Sequence, residues 1–134
     1  MGKTSIWAGR ILSGLAAAFF LLDGTMKLVP AQIVIETMKE LGWPGDIETA
    51  RLLGFLTLGS AVLYIMPRTA VLGAILASCY LGGAVATHVR IGSPLFSHVL
   101  FGVYLGAMIW GGLWLRDPRV RALIPLTRPQ FTEI

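Results

Sequence analysis

The sequence has few charged residues and almost no cysteine. Only 13% of its 134 residues are charged, against about 25% in a typical soluble domain, whereas 55% are hydrophobic. The single cysteine, Cys79, excludes an intramolecular disulfide and dithiol redox chemistry. The chain also lacks a dinucleotide-binding glycine motif, a cysteine cluster and a clear pair of haem ligands. A self-contained redox enzyme is therefore not expected, and the composition favours a membrane protein.

Linkers and low-complexity tracts are missing as well. This absence predicts a single domain over residues 1–134. Lys and Arg outnumber Asp and Glu by 11 to 7. These bases lie beside apolar segments rather than in a patch interleaved with exposed aromatics, so nucleic acid is not an expected partner.

Four segments are long and apolar enough to be transmembrane helices. A helix needs about 20 residues to cross the hydrocarbon core, and the candidates are residues 6–28, 47–66, 69–89 and 95–115. Pro67 is expected to end the second helix and Thr69 to open the third. The lipid bilayer is thus the expected environment.

A shorter helix is predicted between the first two spans. Pro30 suits its first turn and Gly42 a C-terminal stop, and the apolar residues of this segment recur on one face: Ile33, Val34, Met38 and Leu41. Such a helix is expected to lie on the membrane surface. The predicted fold is all-α, a four-helix transmembrane bundle with a short amphipathic surface helix between spans one and two.

The basic residues predict the orientation of the bundle. With four spans both termini share one side, and most bases fall there: Lys3, Arg10, Arg68, Arg116, Arg119, Arg121 and Arg128. The opposite side has fewer: Lys27, Lys39, Arg51 and Arg90. The positive-inside rule predicts a multi-pass protein of the cell inner membrane with both termini in the cytoplasm.

Ionisable residues cluster near the predicted outer ends of the spans. Asp23 and Lys27 are four residues apart on one helix face, and Arg51 enters the second span at a similar depth. A mid-membrane aspartate costs roughly 2.5–3.5 kcal/mol, so Asp23 is expected to pair with Lys27 or Arg51. His88 and His98 flank the short turn between spans three and four. These five residues form the predicted ligand-binding site, although a purely structural pairing of Asp23 explains its charge equally well.

Helix geometry separates His88 from Arg90. Residues two positions apart in the sequence point about 200° apart around a helix axis. If His88 faces the interior of the bundle, Arg90 therefore faces its periphery. A His, His and Asp set could bind zinc or iron, but the spacing matches no metal motif, and no metal site is predicted. Cys79 is expected to act as a small hydrophobe without a chemical role.

Three stretches resemble the DoxX-like family of small four-helix membrane proteins: RILSGLAAAFFLLDGTMKL, VLYIMPRTAVLGAILASCYLGGAVATHVRIGSPLF and WGGLWLRDPRVRALIP. The block GAILASCYLGGAVATHVR is the most specific part, and the matching positions are Asp23, Lys27, His88 and Arg90. The resemblance implies an association with quinone-linked oxidase, thiosulfate-oxidation or oxidative-stress assemblies.

Two functions follow as expectations. In the first, the protein binds a quinone or another small lipophilic ligand in an outward-facing polar pocket and is associated with a redox or respiratory process, at most as an oxidoreductase-associated subunit. Asp23 and His88 would then bond to a ligand carbonyl, and Arg51 would stabilise an anionic form. In the second, the chain is a non-enzymatic membrane subunit or scaffold, whose charged layer locks helices or docks a membrane redox partner or a second copy.

Overall fold

The computed structural model describes residues 2–29 and 32–127, and every element in these ranges is helical. The elements are α1 (Lys3–Leu28), α2 (Gln32–Glu40), α3 (Ile47–Ile65), α4 (Ala70–Arg90), a π-helical turn (Leu95–Val99), α5 (Phe101–Arg116) and α6 (Pro118–Leu123). The predicted all-α fold is confirmed. Pro30 and Arg128, which entered the predictions for α2 and for the orientation, lie outside the described residues.

Four helices have the length and hydropathy to cross a membrane: Lys3–Leu28, Ile47–Ile65, Ala70–Arg90 and Leu95–Arg116. Their bounds lie close to the predicted ones. The fourth span differs in detail, because its first five residues form the π-helical turn before α5 begins. Many large hydrophobic side chains are exposed on the bundle surface, as lipid-facing residues are: Leu15 is 57% exposed, Leu22 63% and Phe55 65%.

The four spans form a square. α1 packs against α3 and α5, and α4 packs against the same two helices, so α1 and α4 occupy opposite corners. The centre is filled by small and apolar side chains, namely Ala16, Phe20, Ala61, Tyr64, Ala74, Leu105, Ile109 and Leu113. Small residues let helix backbones approach closely where lipid removes the hydrophobic drive for association.

α1 and α3 approach each other closely at Gly24 and Gly54. A Cβ atom on Gly54 would lie 2.9 Å from the carbonyl oxygen of Gly24 and 3.0 Å from Cβ of Lys27. The absence of a side chain at Gly54 therefore fixes how near Lys27 comes to the neighbouring helix.

A polar network holds the end of the bundle where α1 begins and α5 ends. The buried Tyr64 hydroxyl donates to the Ile109 carbonyl oxygen at 2.8 Å and lies 2.7 Å from Ser13 Oγ. Arg116 Nε donates to the same Ser13 oxygen at 3.2 Å. These contacts join α1, α3 and α5.

Capping residues mark the end of α2 and the starts of α3 and α6. Gly42 ends α2 with a φ of 83°, a left-handed conformation that favours glycine, as predicted for a C-terminal stop. Asp46 begins α3 by accepting a hydrogen bond from the Thr49 amide at 2.7 Å, and hydrogen bonding from Thr49 lowers the pKa of the Asp46 carboxyl. Asp117 caps α6, where hydrogen bonds from Arg119 lower the pKa of its carboxyl.

Thr69 behaves differently from its expected role. It precedes α4, but its hydroxyl donates back to the Leu63 carbonyl oxygen at 2.7 Å rather than capping the new helix. The bond therefore tightens the α3–α4 hairpin.

Candidate functional site

A cavity of about 530 Å³ opens at the distal end of the bundle, where α1 ends and α5 begins. It lies between α1, α2, α4 and the start of α5. Apolar and aromatic side chains form most of its wall, including Phe19, Met38, Trp43, Leu81 and Phe101. Its polar residues include Asp23, Lys27, Tyr80, His88 and His98, together with Thr37, Thr87 and Cys79. The distal cavity thus combines an apolar wall with a few convergent polar side chains.

Lys27 connects two of these polar groups. Its Nζ donates to Asp23 Oδ2 at 2.7 Å, one turn earlier on α1, and to the Tyr80 hydroxyl oxygen at 2.5 Å across the bundle on α4. The Lys27 side chain is 16% exposed and that of Asp23 33%. The predicted pairing of Asp23 is thus made by Lys27.

The two histidines lie together at the same end of the bundle. Their ring centres are 5.7 Å apart, with the planes inclined at 67°. His88 Nδ1 lies 2.9 Å from Ser93 Oγ, and His98 Nδ1 lies 2.7 Å from Ser97 Oγ. Since both Nδ1 atoms have serine partners, the Nε2 atoms are the ring atoms available to a molecule in the cavity.

The position of His98 depends on the π-helical turn. The amides of His98 and Val99 both donate to the Pro94 carbonyl oxygen at 3.1 Å, and the Leu100 amide donates to that of Leu95 at 2.9 Å. π-Helical turns are frequent at functional sites because they redirect a side chain relative to a regular helix. Hydropathy does not reveal such a turn.

Arg51 departs from the expectation. Its side chain is exposed, its Nε donates to the Leu28 carbonyl oxygen at 3.2 Å, and it is not among the residues that line the distal cavity. The guanidinium satisfies the carboxyl end of α1 instead of Asp23. Four of the five predicted residues therefore line the cavity, and Arg51 does not join them.

Arg90 is peripheral, as its angular separation from His88 predicted. It is exposed and its Nη2 donates to the Leu41 carbonyl oxygen at 2.6 Å. This bond connects the end of α4 to the end of α2. The apolar face of α2 turns inward here, since Ile33, Val34 and Met38 line the cavity.

Two lining residues were missed or undervalued from the sequence. Tyr80 was not singled out, although Tyr80, Ala84 and His88 follow one another at intervals of four on α4, a spacing that places them on one side of the helix. Cys79 is exposed and lines the cavity rather than being enclosed in the helix packing. In residues 2–29 and 32–127 no three His, Cys, Asp or Glu side chains lie close enough together to hold a metal ion.

The model of the DoxX-like family matches residues 11–112. The chain belongs to the DoxX-like family. Among curated proteins and among solved structures, nothing matches the sequence significantly. The matched region of this DoxX-like chain contains every polar residue of the distal cavity and ends before α6.

Proposed function

We propose that this DoxX-like membrane protein binds a quinone, or another small lipophilic molecule with a carbonyl group, in the distal cavity and serves a redox or respiratory process. The observation that supports the proposal best is the contact of Lys27 with both Asp23 and Tyr80 on the wall of an otherwise apolar cavity. A volume of about 530 Å³ lies within the range of roughly 300–1,000 Å³ that ligand pockets occupy.

Two hydrogen-bond donors are available to such a ligand. Lys27 has three N–H groups and two partners among the described residues, which leaves one N–H for a molecule in the cavity. The Tyr80 oxygen accepts from Lys27, so its own proton is directed elsewhere. A carbonyl oxygen that entered beside Tyr80 would accept from both groups, and the apolar wall would enclose the ring and tail.

The proposed role is that of an oxidoreductase-associated subunit. The sequence carries no electron-carrier motif, so electrons would come from a membrane redox partner. His88 and His98 would exchange protons or hydrogen bonds with the ligand near the distal surface. A protein that serves only as a scaffold would bind no such ligand.

The membrane and the orientation are part of the proposal. We infer a multi-pass protein of the cell inner membrane with both termini in the cytoplasm, because the bases are more numerous on the terminal side. Reporter fusions at Arg68 and Glu40 test this inference. A periplasmic signal from Arg68 would overturn it.

Ligand binding is tested with decylubiquinone and the protein in lipid nanodiscs. Trp43 lines the cavity, so quenching of its fluorescence reports occupancy, and Trp43→Phe gives the background from the other tryptophans. Tyr80→Phe is expected to weaken binding about three- to tenfold, the effect of losing one hydrogen bond. Tyr104→Phe is the matched control, since Tyr104 is exposed and its hydroxyl donates to the Phe96 carbonyl oxygen outside the cavity.

Saturable quenching that disappears in Trp43→Phe supports the proposal. Equal quenching in both proteins would show that the quinone only dissolves in the bilayer, and would favour the scaffold role.

A further inference from the structure

The charges on the cavity wall are balanced. Of the lining residues, Asp23 and Lys27 carry opposite full charges and are in direct contact at 2.7 Å. The other titratable residues on the wall are Tyr80, Cys79 and the two histidines. With uncharged imidazoles, the wall therefore has a formal charge of zero.

We propose that Asp23 determines specificity: by neutralising Lys27 it makes the cavity accept uncharged carbonyl compounds and reject anionic amphiphiles such as fatty acids. This inference rests on the proposed function, because it assumes that the distal cavity is the ligand site. The inference adds a reason why the distal cavity is not an anion site although a lysine lines it.

The contacts of Lys27 account for this selectivity. An ammonium with a free N–H on an apolar wall is a good partner for a carboxylate or sulfonate. Here Asp23 Oδ2 already contacts that ammonium, so an anionic head group would lie beside a carboxylate of the same charge. Like charges at such a distance in a partly buried site oppose binding strongly. A neutral carbonyl keeps the balance and still receives the hydrogen bonds of Lys27 and Tyr80.

The inference predicts opposite changes for the two members of the pair. Asp23→Asn keeps the shape of the side chain and leaves the Lys27 charge uncompensated, so the cavity should accept anions. Lys27→Met leaves the Asp23 charge uncompensated, so the cavity should accept cations. Each variant is a separate test, which matters if one of them does not fold.

Three probes with the same decyl tail make the comparison: decylubiquinone, decanesulfonate and decyltrimethylammonium. Occupancy is read from the rate at which N-ethylmaleimide alkylates Cys79, the only cysteine of the chain and a residue of the cavity wall. The ubiquinone ring is fully substituted and does not itself add to the thiol. Measurements are made at about pH 8.5, where an ordinary imidazole is uncharged. Asp46→Asn, which alters an exposed carboxylate that does not line the cavity, is the control.

In the wild-type protein, we expect decylubiquinone to protect Cys79 from alkylation at a concentration at least about tenfold lower than either ion requires. Asp23→Asn should gain at least about tenfold in decanesulfonate affinity, and Lys27→Met the same for decyltrimethylammonium. The Asp46→Asn control should match the wild type. For these two gains each variant is compared with the wild type for the same probe, so differences in head-group size cancel.

The outcomes separate the two proposals. If the ion affinities change as expected but decylubiquinone never protects Cys79, the charge-balance inference stands and the quinone assignment fails. If decylubiquinone protects but the wild type takes decanesulfonate equally well, or no folded variant gains affinity for its ion, the inference is overturned and the quinone assignment remains. If no probe protects, both are wrong.

Discussion

The Asp23–Lys27 pair allows a quantitative prediction about stability. Removing either charge alone leaves the other in a partly buried position, whereas removing both leaves none. At an effective dielectric constant of about 20, the attraction across 2.7 Å is roughly 6 kcal/mol before desolvation is subtracted. Exposed pairs retain only about 0.2–1 kcal/mol after desolvation and entropy, and breaking a fully buried pair costs about 3–5 kcal/mol.

This pair lies between those limits, because the Lys27 side chain is 16% exposed and that of Asp23 33%. We therefore expect a coupling energy of about 1–3 kcal/mol in a double-mutant cycle of Asp23→Asn and Lys27→Met. The double variant should be more stable than the sum of the single effects implies. Tyr80 contributes to the Lys27→Met effect, since its oxygen loses a donor.

The cycle is measured as the free energy of unfolding of the four proteins in mixed micelles titrated with a denaturing detergent. Repeating it in Tyr80→Phe separates the part of the coupling that passes through the tyrosine. Single effects that add to within about 0.3 kcal/mol would refute the reasoning, because additivity means that the two charges do not stabilise one another in the folded bundle.

Three further predictions concern a close helix contact, a buried pair of hydrogen bonds and the thiol, and all are checked by the same unfolding assay. Gly54→Ala should destabilise by about 1–3 kcal/mol because its Cβ would meet the Gly24 backbone, whereas Gly59→Ala, with nothing within 4 Å, should be neutral or stabilise by up to about 1 kcal/mol; equal effects would contradict the packing argument. Tyr64→Phe removes two buried hydrogen bonds and should cost about 1–2 kcal/mol, against little for the exposed Tyr104→Phe. Cys79→Ala should change stability by less than about 1 kcal/mol because the thiol is exposed and has no structural partner in the described residues, and a larger loss would reveal a packing role.

The sequence was sufficient for the four spans but not for their contacts. Long uncharged stretches have few alternatives to a membrane-spanning helix, so the four spans follow from hydropathy alone. The approach of Gly54 to Gly24 depends on which faces of α1 and α3 meet, and the periodicity of apolar residues does not encode that choice when lipid and protein are equally apolar.

The same limit explains why the pairing of Asp23 with Lys27 could be predicted and the contact made by Arg51 could not. Asp23 and Lys27 belong to one helix, and a spacing of four fixes their distance whatever the neighbours do. Arg51 was placed by depth alone. Depth says how far along α3 a residue lies but not its angle around the axis, and the guanidinium reaches the Leu28 carbonyl instead. Tyr80 was missed because a tyrosine in an apolar span carries no charge that demands a partner.

The apolar face of α2 shows how one pattern can serve two environments. Ile33, Val34, Met38 and Leu41 were predicted to face a membrane surface, and they line the distal cavity. A bilayer surface and a protein cavity both call for apolar side chains on one face of a helix and polar ones on the other. Contacts with distant parts of the chain distinguish them: α2 packs against α3, and Arg90 donates to the Leu41 carbonyl oxygen across 49 residues. A basic residue that does not line the cavity is thus one of the contacts that hold its wall, and no local pattern reveals such a contact.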